Sequence, residues 1–187
     1  MLKTGEWVSA SAFKFGPNTF WWLLVNGVDE QPDRVLLGED SLPRLWVDER
    51  AVREQIDELD RMYGSDGDAD NNEIDEYEIE VFDLEELVKN TNYFLHVDSE
   101  YVIGAWNALD DFVPSISQPW GFEGGKVLER CYDKLFYSLN IEGSLPEGVM
   151  YRPSWSQEEV RKIHQLLSAG RTRIRAFLVQ EGYLVDD

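Results

Sequence analysis

Four segments of the chain begin alike, with an apolar residue, then Asp or Ser, then a second apolar residue four positions further on. They are Val47-Asp48 with Val52, Phe82-Asp83 with Leu87, Val97-Asp98 with Val102, and Trp155-Ser156 with Val160. An oxygen on a helix N-cap side chain accepts from an N–H that the first turn leaves unpaired. The apolar pair around it packs together and fixes the angle at which the chain enters the helix. Glu86 and Glu159, three residues beyond their caps, add the reciprocal half of a capping box. Four such starts in one chain require a largely helical fold.

The residues that follow these starts keep helical periodicity. After Asp48, Val52, Ile56, Leu59 and Tyr63 share one face, Glu54, Asp57, Glu58 and Asp60 the opposite one, and Gly64 suits a left-handed stop. After Asp98, Val102, Trp106 and Leu109 align, and Pro114 is expected to end the helix. Lys126 to Leu139 is amphipathic, with Val127, Leu128, Cys131, Tyr132, Leu135, Phe136 and Leu139 on one side. The last segment carries Val160, Ile163, Leu167, Ile174 and Phe177 at helical spacing, interrupted by Gly170; helix is favoured there over a strand from Arg173 to Val179.

Strand signals are fewer. Trp7 to Phe15 partly alternates, and Tyr77 to Phe82 alternates with Glu78 and Glu80 outward, as suits an edge that must not aggregate. Gly16-Pro17-Asn18 breaks the chain, and Thr19 to Val25, apolar on every side, is predicted to be a short buried helix capped by Asn18 and stopped near Gly27. The expected fold class is α+β, predominantly helical, with about five to six helices packed around one core and a small antiparallel sheet or hairpin.

Aromatic residues make up 13% of the 187 residues, far above what an unfolded acidic chain carries, so a packed core is expected, in a single domain over residues 1–187 with an acidic loop near 64–76. Cys131 is the only cysteine and cannot close an internal disulfide. With no secretory signal and no apolar run beyond Phe20 to Val25, the sequence predicts a soluble cytoplasmic protein with no membrane association.

Charge is the feature with the most functional content. The net charge is −20, from 37 acidic and 17 basic residues, and most of the excess falls between residues 29 and 86. Met62 to Val88 holds no Lys or Arg but has 11 acids. Such a field repels DNA, RNA and anionic lipid, and steers basic partners inward. Like charges held close together oppose folding, so an acidic cluster kept on an ordered scaffold points to a basic protein partner. Asp57, Glu58, Asp66, Asp68, Asp70, Asp75, Glu76, Glu78 and Glu80 are the candidate partner-binding carboxylates, with Trp120 as an aromatic anchor. The function expected is that of a non-enzymatic inhibitor or immunity-type protein masking the basic surface of a toxin or nucleic-acid enzyme. The bland alternative for the same acids is a solvated polar face.

Other chemistries find less support. Ser65 to Glu73 spaces oxygen ligands as a calcium loop does, making Asp66, Asp68 and Asp70 the candidate Ca2+ ligands. Counted from Asp66, however, Asn71 stands where glycine makes the turn and Tyr77 where a bidentate Glu is needed, so no cofactor is expected. Gly124-Gly125-Lys126 lacks the residues of a phosphate-binding loop and is read as the start of a helix, with Gly121 to Gly124 as a lid. His96 and His164 have no metal-ligand spacing; they could serve only a carboxylate-based or metal-assisted hydrolase, which is the rival function. The basic cluster Arg161, Lys162, Arg171, Arg173 and Arg175 could complement the acidic middle of the same molecule or of a second copy, giving a homodimer.

Overall fold

The computed structural model of the chain describes residues 6–27, 32–63, 79–117, 120, 125–141, 144–146 and 148–185. The described residues form six helices and five strands, an α+β fold with a helical majority. Its contacts divide into two compact units, Met1–Phe82 and Asp83–Asp187.

The first unit is built on a hairpin of β1 (Trp7–Phe15) and β2 (Asn18–Asn26), antiparallel in unbroken register from Trp7 opposite Asn26 to Phe15 opposite Asn18. Thr19 to Val25 is therefore a strand, which corrects the helix predicted for it. Gly16 has φ of +56°, the positive value that a tight two-residue hairpin turn needs at its first central position, and Pro17 fixes the next φ. Apolarity all round correctly signalled burial, but a strand covered on both faces presents the same pattern. On one face Leu23 and Val25 are buried, and on the other Phe20 and Trp22 are. Phe13 stacks on Trp22, with ring centroids 5.9 Å apart.

Short strands β3 (Arg34–Val35) and β4 (Leu45–Trp46) also pair with β2, and β5 (Glu80–Asp83) borders β1, giving the order β3-β2-β1-β5. The sheet is thus larger than the hairpin expected. Helix α1 (Glu49–Tyr63) lays Val52, Ile56 and Leu59 on Val8, Leu23 and Val25, the expected face in the expected place. Each of these side chains contributes about 1.5–3 kcal/mol by leaving water. Asp48 begins α1 as its cap signature requires, with its carboxylate accepting from the Arg50 N–H at 3.0 Å. Near the start of β1, buried Glu6 takes both ends of the Arg34 guanidinium at 2.7 and 2.8 Å.

The second unit is helical: α2 (Leu84–Lys89), α3 (Thr91–Val97), α4 (Ser99–Ile116), α5 (Gly125–Ser138) and α6 (Gln157–Gln180). Asp83, Asp98 and Ser156 cap α2, α4 and α6, each accepting from the N–H three residues on. At Ser156 the Glu159 carboxylate completes the capping box, whereas the Asp83 N–H donates to the Tyr101 hydroxyl. The long α6 packs against α2, α3, α4 and α5.

One expectation needed adjustment. Pro114 lies inside α4, which runs two residues further, because a proline so near the end of a helix disturbs little that follows it. The last segment is one helix through Gly170, as favoured from the sequence, and the role of that glycine is close packing. A Cβ there would lie 2.7 Å from both Cδ atoms of buried Leu109 on α4, so the missing side chain is what lets the two helices approach.

Candidate functional site

The structure distributes the expected partner-binding residues unevenly. Asp57 and Glu58 stand exposed on α1 and Glu80 on β5. On α1 they share the surface with the pairs Arg50–Glu54 and Arg53–Glu49, each 2.7 Å apart, and the Arg61 Nε donates to the Asp57 carbonyl. That face is consequently of mixed sign. Asp66, Asp68, Asp70, Asp75, Glu76 and Glu78, and with them the calcium-loop expectation, lie outside the described residues, as does the Gly121 to Gly124 lid. Trp120, expected as an exposed anchor, is half-buried: its indole N–H donates to Asp110 at 2.9 Å and the Arg173 guanidinium lies 5.3 Å from its ring. Arg175 approaches Glu85 at 3.9 Å.

Trp120 leads to a site that was not among the sequence candidates. A cleft of about 400 Å³ opens among α4, α5 and α6, lined by Trp106, Asp110, Glu129, Tyr132 and Asp133 over a floor that includes Leu128 and Leu166. Asp110 holds it together. One carboxylate oxygen accepts from Trp120 and the other from the Trp106 indole at 3.0 Å. Burial pushes the Asp110 carboxyl above its ordinary range, and the two indole bonds, which favour the charged form, only partly oppose that shift. Tyr132 meets Trp106 edge to face with centroids 5.5 Å apart, and its hydroxyl donates to Asn107 at 3.0 Å.

Helical spacing explains the assembly. Trp106 and Asp110 are four residues apart on α4, and Glu129 and Asp133 four apart on α5, so each pair shares a face. Those spacings were visible in the sequence. What was not visible was that α4 and α5 turn these faces toward one another. The result combines three carboxylates with two aromatic rings, a lining that suits an organic cation such as a lysine or arginine side chain.

The histidines are elsewhere. His164 lines a different cleft, in which no carboxylate takes part, and His96 is exposed in the last turn of α3. Cys131 is buried on α5, and burial, reinforced by the Glu159 charge, pushes its thiol up to about 11. Among the described residues no group of three or more His, Cys, Asp or Glu is placed to hold a metal ion, and no helix is long and apolar enough to cross a membrane. No protein-family model, curated protein or solved structure matches the chain.

Proposed function

We propose that the chain is a non-enzymatic acidic binding protein, an inhibitor or immunity-type protein that masks a basic surface on a toxin or nucleic-acid enzyme. The observation that carries this reading is the charge: 37 acids against 17 bases, with the excess concentrated between residues 29 and 86. Exposed Asp57, Glu58 and Glu80 belong to that field. The acidic aromatic cleft adds a seat in which one cationic side chain of the partner is desolvated against Trp106 and Tyr132, as an interface anchor would be. The rival hydrolase calls for a histidine and carboxylates facing one cavity. The cleft among α4, α5 and α6 has the carboxylates, whereas His164 lines a different one.

Calorimetric titration with a lysine- and arginine-rich peptide tests the proposal, using a glutamate-rich peptide of equal length as control. Binding of the basic peptide alone, weakened by Asp57→Asn with Glu58→Gln and by Asp133→Asn, is the expected result. No saturable heat with the basic peptide at low salt, or equal binding of both peptides, would overturn it.

A further inference from the structure

The second unit carries a cleft of opposite character. It has a volume of about 510 Å³ and lies where the end of α2 and the start of α3 face the first turns of α6. Lys89, Arg161 and His164 line it together with Asn92, over an apolar wall that includes Trp155 and Val160. No carboxylate takes part in the lining, although acids outnumber bases in the chain by 20. Among the described residues neither Lys89 nor Arg161 forms an ion pair, so both cations face the cleft or solvent with their charge uncompensated at short range.

Two acids on the elements that form the cleft are turned to other work. Glu159 is buried on the side of Lys134, 2.7 Å from its ammonium, and Glu86 accepts from the Asn90 side chain. Trp155 is held by its indole N–H, which donates to the Leu95 carbonyl at 3.0 Å, and by the Lys134 ammonium 5.4 Å from its ring centroid, so its orientation is set before anything binds. The cleft also lies at the N-terminal end of the 24-residue α6, where the helix dipole favours negative charge.

We propose that this cleft binds a small organic anion, with a phosphate or carboxylate head held by Lys89 and Arg161, and a flat apolar body against Trp155 and Val160. Its volume falls within the range of small-ligand sites. Two cations and an amide donor suit an anionic head, and the indole and valine surfaces suit a ring rather than a bare ion.

Isothermal titration with phenyl phosphate, benzoate, inorganic phosphate and benzylamine tests this in the full chain. Phenyl phosphate and benzoate are expected to saturate one site, inorganic phosphate to bind at least about tenfold more weakly than phenyl phosphate, and benzylamine, whose charge suits the acidic cleft instead, not to displace phenyl phosphate. Lys89→Gln and Arg161→Gln are each expected to weaken phenyl phosphate about tenfold while leaving the thermal midpoint unchanged, since both side chains are exposed. Three results would overturn the proposal: no saturable heat with phenyl phosphate up to about 10 mM, equal affinity for inorganic phosphate, or unchanged affinity in the double variant.

Discussion

Replacing Gly170 with alanine sets two effects of known sign against each other. In an isolated helix the change stabilises by about 1 kcal/mol, because glycine loses more backbone freedom on folding. Here the added methyl would stand 2.7 Å from both Leu109 Cδ atoms and 3.2 Å from its Cγ, where carbon atoms normally stay about 3.5–4.0 Å apart. Leu109 is fully buried, so its side chain must move by most of an ångström within a filled interior, and overpacking of that kind costs about 1–3 kcal/mol. The net expectation for Gly170→Ala is a loss of about 1 kcal/mol. For a chain of this length that lowers the thermal midpoint by about 2–4 °C. In a Leu109→Ala background, itself destabilised by about 2–5 kcal/mol, the same methyl enters vacated space, and the substitution should become neutral or stabilising. Melting the four proteins of this cycle by far-ultraviolet circular dichroism gives the coupling directly. If Gly170→Ala shifted the midpoint equally in both backgrounds, the close approach of α4 and α6 at this point would be refuted.

Four further outcomes follow from particular residues. Burial pushes the Glu159 carboxyl up, but the Lys134 ammonium and the Ser156 cap bonds more than offset this and hold it below the usual range. The stability so gained is complete above the unfolded-state value of about 4.3 and is lost as pH falls through the lower folded value, so Glu159→Gln should narrow its deficit against the parent protein in acid melts. Lys134→Met leaves that carboxylate buried without its cation and should cost about 2 kcal/mol in urea unfolding at neutral pH. Cys131 should resist a thiol reagent in the native protein and react fully in denaturant; rapid native labelling would contradict its burial. Gly16→Ala meets no atom within 4 Å but must hold φ near +56°, and a loss of about 1–2 kcal/mol in the same unfolding assay is expected.

Helix starts were the most legible part of the fold, because a cap and its staple are local: Asp48, Asp83, Asp98 and Ser156 all begin helices where the sequence placed them. The second strand was not legible as a strand. Whether Thr19 to Val25 is helix or strand depends on its pairing with β1, and both structures bury the same residues; the turn chemistry of Gly16-Pro17 was the local clue. Separate helices at α2 and α3 escaped for the opposite reason, since no second cap marks the join at Asn90, whose side chain makes no cap bond to α3. At the level of the site, Trp120 was singled out for its ring, yet what matters in the structure is its indole N–H on Asp110. Trp106, Asp110, Glu129 and Asp133 form a site only after α4 and α5 pack, and the uncompensated cations of Lys89 and Arg161 require three elements to meet. Patterns within one helix are written locally, whereas convergence between helices is a tertiary fact.

The proposed function requires that concentrated negative charge select a basic protein partner. Affinity capture from a native extract at about 50 mM and about 500 mM salt, with bound proteins identified by mass spectrometry, tests it most directly, because a screening length near 10 Å at 0.1 M salt weakens exposed charge pairs selectively. A small set of basic proteins should be held at low salt, released at high salt, and depleted when Asp57, Glu58 and Glu80 are neutralised together. Capture of no protein at low salt, or of acidic proteins whose retention ignores both salt and the triple substitution, would contradict it.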